Sequence, residues 1–110
     1  MARYILIDNN SGYIWGDSAD FAAGRPGEIN SPIDAARILD ESLGEFGRRY
    51  VEMRHNPRTT ATGYDVYRAD INGSDAVPVV QDGQDPDTIA AVEHECEYVG
   101  FIRCEEGDAA

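Results

Sequence analysis

The side chains that could bind a metal are few and badly spaced in this chain of 110 residues. Two histidines and two cysteines are the candidates for zinc: His55, His94, Cys96 and Cys104. Zinc sites usually contain a close pair, such as Cys-x2–4-Cys or His-x3–5-His. Neither pair occurs, and on a helix His94 and Cys96 would point about 200° apart. We therefore predict no metal site and no cofactor.

Acid–base chemistry would have to depend on carboxylates. The best candidate pair is Asp8, at the end of an apolar strand, and Asp17, just after the strand that returns. In a hairpin the two could share an edge beside Trp15. This pair gives the alternative function, a small-ligand-binding protein or a carboxylate-based enzyme. An aspartate in the position of Asp8 more often just caps its turn.

Several other reaction classes are disfavoured by residues that the sequence lacks. All nine basic residues are arginines, which excludes a Schiff-base lysine, a phosphate-loop lysine and a lysine general base. No Gly-x-Ser-x-Gly nucleophile elbow is present. The acidic neighbours of Cys96 would raise its thiol pKa, which makes it a poor nucleophile. Codon usage in a GC-rich bacterial genome explains the missing lysines without a functional cause.

The net charge of −12 is concentrated in the second half of the chain. Residues 62–110 hold twelve acidic residues and two arginines, a balance of −10, whereas residues 1–61 hold nine and seven, a balance of −2. Such a charge repels nucleic acid and favours a basic partner surface. We expect these residues to bind the partner: Asp82, Asp85, Asp87, Glu93, Glu95, Glu97 and Glu105. A basic patch is expected from Arg48, Arg49, Arg54 and Arg58.

The leading hypothesis from these charges is a small, non-enzymatic interaction or regulatory module that binds a basic protein surface. Its narrower form is a nucleic-acid mimic of the antirestriction or anti-CRISPR type, an analogy based on charge and size. A third hypothesis is a homodimer in which the arginine segment of one copy meets the acidic segment of the other. The same charges would also suit a solvated face that keeps a small protein soluble.

The N-terminal half predicts a hairpin followed by a helix. Arg3–Asp8 is apolar on both faces, and turn residues separate it from a second strand at 13–15. One helical turn is expected at Ser18–Ala23. Ser31 and Pro32 then predict a helix start, with Gly44 as its end. Beyond Gly44 two interpretations remain, a helix continued to about Met53 or a strand over 49–55; we favour the strand.

The C-terminal half predicts further strands and a second helix. Strands are expected at 64–71 and 76–80, joined by Asn72-Gly73, a typical hairpin turn. Asp85 and Pro86 predict the start of the second helix, and a last strand follows at 98–104.

The order ββα–βββα–β predicts an α+β fold, with a mainly antiparallel sheet and two helices packed on one face. We expect a single domain over residues 1–104 and an acidic, flexible tail over 105–110. A disulfide between Cys96 and Cys104 is not expected, and no signal peptide or membrane span is evident, so we expect a cytoplasmic protein. The predicted core comprises Ile5, Ile7, Ile14, Leu39, Leu43, Val66, Ile89, Val92, Val99 and Phe101.

Overall fold

The computed structural model describes residues 3–8, 11–53, 62–69 and 78–105. Within these ranges the strands are β1 (Tyr4–Asp8), β2 (Ile14–Asp17), β3 (Arg49–Met53), β4 (Gly63–Arg68) and β5 (Glu97–Glu105). The α-helices are α1 (Ser18–Phe21), α2 (Pro32–Ser42) and α3 (Pro86–Glu95), and Pro26–Glu28 forms a short 3-10 helix.

The five strands form one antiparallel sheet in the order β2-β1-β4-β5-β3. This confirms the α+β class and the order of strands and helices. β1 and β2 make the hairpin that the turn residues predict, and β4 pairs with both β1 and β5. The edge strand β2 is joined to a later loop by two backbone hydrogen bonds between Ile14 and Gly83.

Helix α2 begins as its sequence predicts. The Ser31 hydroxyl accepts a hydrogen bond from the backbone N–H of Asp34, and the Asp34 carboxylate accepts one from the N–H of Asn30. The helix ends at Ser42, and Gly44 follows with a φ of +79°, a conformation that favours glycine. β3 then confirms the strand interpretation and excludes the continued helix.

Helix α3 also begins with the capping aspartate that its sequence predicts. The Asp85 carboxylate accepts hydrogen bonds from the backbone N–H of Asp87 and from the hydroxyl of Thr88. Val92 is buried, and Ile89 and Cys96 on the same side are partly buried. The helix is therefore fixed to the sheet by a narrow apolar stripe, and the rest of its surface is exposed.

The two longer helices lie on opposite faces of the sheet, so the prediction that both pack on one face is wrong. Side chains alternate along β1, and Leu6 packs in a cluster with Leu39 of α2, whereas Ile5 packs in a second cluster with Val92 of α3. We call these faces the α2 side and the α3 side. The sheet is thus the middle layer of a three-layer arrangement.

Three other sequence expectations need correction. Leu43 is 42% exposed and lies outside the core, because α2 ends immediately before it. No strand forms over Pro78–Val80, the described part of the predicted strand 76–80. Glu105, predicted to begin the tail, is the last residue of β5. The Asn72-Gly73 turn and residues 106–110 lie outside the described residues.

The two cysteines are free and lie on opposite sides of the sheet, Cys104 on the α2 side and Cys96 on the α3 side. Burial raises the pKa of the Cys96 thiol, and it raises that of Cys104 to about 12. Neither thiol is therefore activated as a nucleophile. In the described ranges, none of the helices has the length and apolar character needed to cross a membrane.

Candidate functional site

Six of the seven acidic residues expected to bind a partner are exposed. They lie on the loop before α3, on α3 itself and at the start of β5. No arginine of the described chain forms a salt bridge with any of them; the His94 ring lies 3.7 Å from Glu95, a contact that is an ion pair only when the imidazole is protonated. We call this set the acidic surface: Asp82, Asp85, Asp87, Glu93, Glu95 and Glu97.

Glu105 is separated from this surface. It lies at the far end of β5 from Glu97, eight residues or roughly 26 Å along the strand. Its carboxylate is bound by the guanidinium groups of Arg49 and Arg103, and this pairing lowers its pKa. Glu105 is therefore neutralised within the chain.

The remaining carboxylates surround α3. Glu93 and Glu95 are two positions apart on the helix, so their side chains point about 160° from each other, on either side of the stripe that contains Val92. Asp82 lies on the preceding loop, where partial desolvation and the charge of Asp20 raise its pKa although its side chain is exposed. The acidic surface is consequently a broad patch. The described residues contain no group of three or more His, Cys, Asp or Glu that could hold a metal ion.

The expected basic patch is divided between the two sides of the sheet. Arg48 contacts Asp40 of α2, whereas the next residue, Arg49, binds Glu105 on the α3 side. Arg54 and Arg58 lie outside the described residues. The two described arginines are thus both paired with carboxylates of the same chain.

The structure does not bring Asp8 and Asp17 together. Asp17 lies opposite Ile5 on β1, which is three residues or roughly 10 Å from Asp8. It is completely buried, and its carboxylate accepts hydrogen bonds from the guanidinium of Arg3, at 2.6–3.1 Å, and from two backbone N–H groups, those of Ala19 and Val80. These contacts give Asp17 a structural role, connecting β2, α1 and the segment at Val80.

Asp8 and Trp15, in contrast, lie at the same site. Both line a groove on the α2 side with a volume of about 300 Å³. Trp15 is half-buried, and its ring packs against that of Tyr13, with 4.7 Å between the centroids. We call this site the groove, and it is lined by Asp8, Trp15, Leu43, Glu45, Arg48, Thr62, Gly63 and Tyr64.

Gly63 is fixed by close packing at one wall of the groove. A Cβ atom at this position would lie 2.3 Å from the carbonyl oxygen of Ile102 and 2.5 Å from the ring of Phe101. Any larger side chain would push β4 away from β5.

A buried carboxylate on α2 contacts this groove through two of its lining residues. Asp40 is 0% exposed and accepts hydrogen bonds from the hydroxyl groups of Tyr64, at 2.6 Å, and Tyr50, at 2.7 Å. The guanidinium of Arg48 lies 3.5 Å from Asp40 and 3.5 Å from Glu45. Burial and the hydrogen bond to Asp40 raise the pKa of both tyrosines, so both hydroxyls remain donors at neutral pH.

Sequence reasoning missed Asp40, although one signal was available. Asp40 lies four residues after Ala36, so helical spacing places it on the same face of α2 as this buried residue. A carboxylate on the buried face of a helix needs partners, and the sequence contains several tyrosines and arginines that qualify. Which of them approach it depends on how β3 and β4 are placed.

Comparisons with known proteins add no functional information. The chain matches no protein-family model, no curated protein and no solved structure.

Proposed function

We propose that this protein is a small interaction or regulatory module that binds a basic protein surface through the acidic surface around α3. The observation that supports this proposal is that the arginines are paired with carboxylates elsewhere in the chain, and not with those of the acidic surface. Six of the seven described arginines form salt bridges with carboxylates of the same chain: Arg3, Arg25, Arg37, Arg48, Arg49 and Arg103. The carboxylates of the acidic surface are left out of these pairs, so their charge is available to a partner.

The electrostatics favour a basic partner over a nucleic acid. With a net charge of −12, the chain repels phosphates at long range and attracts a positive surface, mainly by increasing the association rate. The attraction should weaken as the salt concentration rises, because the Debye length falls to about 8 Å at physiological ionic strength.

The arrangement of the carboxylates supports a patch that meets a protein surface better than it supports mimicry of a nucleic-acid backbone. A mimic needs a continuous row of negative charges with phosphate-like spacing. Glu93 and Glu95 point to opposite sides of α3, and Glu105 lies roughly 26 Å from Glu97 and is bound by arginines. We therefore take the basic protein surface as the proposed partner.

Two triple variants of equal net charge test the proposal. The first, Glu93→Gln/Glu95→Gln/Glu97→Gln, neutralises three carboxylates of the acidic surface. The control, Glu41→Gln/Glu45→Gln/Glu52→Gln, neutralises three carboxylates on α2, its following loop and β3. Partners are captured from a lysate of the native cell with the unmodified chain, and each is then titrated calorimetrically against all three proteins at low and high salt.

The expected result is a loss of affinity of about tenfold or more for the first variant and little change for the control. Equal affinities for the two variants would refute the acidic surface as the binding site. Light scattering of the unmodified chain at low and high salt separates a second copy from a different partner. A dimer that dissociates at high salt would identify the partner as the chain itself.

A further inference from the structure

The groove has a charge pattern that the proposed partner interaction does not use. It lies on the α2 side, whereas the acidic surface surrounds α3 on the other side of the sheet. Its volume of about 300 Å³ is at the small end of the range for ligand pockets. A site of this size suits a small molecule or a single side chain.

Formal charges at the groove are mainly negative. Asp8 and Glu45 line it, and Asp40 contacts the lining residues Arg48 and Tyr64. Arg48 is the single cationic side chain among the described residues that line the groove. Counted over the described residues, three carboxylates and one guanidinium give a formal charge of −2.

Arg48 is poorly placed to attract an anion into the groove. Its guanidinium lies between two carboxylates, with 3.5 Å to Asp40 and 3.5 Å to Glu45, and the side chain is only 18% exposed. A bound anion would compete with both carboxylates for the same donors. It would also approach Asp8, another acidic residue that lines the groove.

The uncharged part of the lining suits an organic cation, because it offers an aromatic ring for the charged group and an aliphatic surface for an apolar arm. Trp15 offers an aromatic ring, and Leu43, which is 42% exposed, offers an aliphatic surface. Aromatic rings attract organic cations through the negative charge of their faces, and tryptophan does so best. A short alkyl arm would meanwhile cover apolar surface that is now exposed to water.

We infer that the groove binds a small organic cation, an alkylammonium or alkylguanidinium group with a short apolar arm. The cationic head would lie between the carboxylates of Asp8 and Glu45 and against Trp15, and the arm would lie along Leu43. The inference is independent of the proposed partner interaction, because it concerns different residues on the other side of the sheet.

Trp15 makes the inference directly testable. It is the one tryptophan in the chain, so intrinsic tryptophan fluorescence reports on the groove. n-Butylammonium and n-butylguanidinium are titrated at constant ionic strength, with 1-butanol and butyrate as neutral and anionic controls of similar size. We expect saturable fluorescence changes with both cations, and binding at least about tenfold weaker with the alcohol and with the anion.

Variants that each neutralise one carboxylate test where the cation binds. Asp8→Asn and Glu45→Gln should each weaken n-butylammonium binding by about threefold to tenfold, because each removes one attractive charge near the head group. Glu93→Gln on α3 is the matched control, since it removes the same charge from the whole protein, and it should leave the affinity unchanged. Circular dichroism checks that each variant is folded; if Asp8→Asn is not, Glu45→Gln on its exposed loop still tests the site.

A capped lysine, Nα-acetyl-lysine methylamide, distinguishes a free cation from a protein side chain. Binding as tight as that of n-butylammonium would indicate a site for a partner's basic side chain, and much weaker binding would indicate a free small molecule. Equal binding of n-butylammonium, 1-butanol and butyrate would overturn the inference, as would an equal effect of Glu45→Gln and Glu93→Gln. Because Glu45 belongs to the control variant of the partner experiment, the two proposals can fail separately.

Discussion

Among the described residues, each side of the sheet buries one aspartate completely, and the two are stabilised in different ways. Asp17 on the α3 side has a full positive charge within 2.6 Å, from Arg3, and two backbone N–H donors. Asp40 on the α2 side has two neutral phenol donors, while its nearest guanidinium, that of Arg48, lies 3.5 Å away. Burying a carboxylate costs several kcal/mol unless it is paired or hydrogen-bonded, and these are two solutions to that problem.

The comparison distinguishes a buried carboxylate whose neighbours serve only the fold from one whose neighbours a ligand in the groove would contact. The donors around Asp17 all belong to segments that it holds together, so its contacts stabilise the fold. Two of the residues around Asp40, Tyr64 and Arg48, also line the groove. A ligand in the groove would therefore alter the surroundings of Asp40 and leave those of Asp17 unchanged.

The largest effect is expected from alkaline pH, because it acts on several groups on both sides at once. Burial raises the pKa of Tyr50 and Tyr64 on the α2 side, and it raises the pKa of Cys104 there and of Tyr67 on the α3 side to about 12. In the unfolded chain a cysteine loses its proton near pH 8.5 and a tyrosine near pH 10. The unfolded state is therefore favoured as the pH rises above these values.

Urea unfolding at a series of pH values measures this dependence. The free energy of unfolding should be constant from pH 7 to about 8.5 and should then fall as the pH rises through the pKa values of the folded state. Tyr64→Phe should make the loss above pH 10 less steep, because it removes one of these groups. A free energy of unfolding that stays constant up to pH 11 would contradict the raised pKa values of these buried groups.

The next largest effect is expected at Asp17. Replacing Arg3 by methionine keeps most of the side-chain volume but leaves the buried carboxylate without its cation. The free energy of unfolding should fall by about 3–5 kcal/mol. Arg37→Met is the control, because Arg37 pairs with Asp34 at the surface and its loss should cost about 1 kcal/mol or less. Similar losses for the two variants would show that the Arg3–Asp17 pair is not a desolvated one.

An intermediate effect is expected from the phenols around Asp40. Tyr64→Phe should cost about 1.5–3 kcal/mol, since Tyr64 is 5% exposed and donates to a charged acceptor. Tyr50→Phe should cost about 1 kcal/mol, because Tyr50 is less buried. The control is Tyr98→Phe, which removes an exposed hydrogen bond to Asp65 and should cost about 0.5 kcal/mol or less. If Asp40 were held mainly by Arg48, thermal or urea unfolding would show losses for Tyr64→Phe and Tyr50→Phe no larger than the loss for Tyr98→Phe.

The smallest effect is expected at the surface pair of Arg49 and Glu105. The Arg49 side chain is 71% exposed, so water and salt screen its attraction to Glu105. Arg49→Met should change the free energy of unfolding by about 0–1 kcal/mol, and the change should shrink further at high salt. A loss above 2 kcal/mol, measured by urea unfolding, would show that this end of β5 depends on the pair.

Helix starts and strands that are specified by residues close together in the chain were predictable from the sequence. The helix starts at Ser31 and Asp85 depend on residues within four positions, so their capping contacts form as expected. The strand β1 was predictable because Ile5 and Leu6 are both apolar. Apolar residues on both faces of β1 already require cover on both sides, so the prediction that both helices pack on one face contradicted the same pattern that identified the strand.

The candidate site was only partly predictable. Asp8 and Trp15 do line one groove, but Asp17, expected to join them, is buried beneath Arg3 on the other side of the sheet. The register between β1 and β2 decides this: a shift between Leu6 and Ile7 interrupts the pairing, and Asp17 lies opposite Ile5. Residue types in a hairpin do not specify that register without the packing on each face.

By itself, the sequence determined the helix starts, the strand that needs cover on both faces, and the uneven distribution of charge. These properties depend on residues that are neighbours along the chain or on simple counts. The tertiary structure decided which side each helix covers, which aspartates are buried and where the groove lies. The physical reason is that the decisive contacts join distant parts of the chain, such as Asp40 with Tyr64, 24 positions apart, and Arg3 with the carbonyl of Pro78, 75 positions apart.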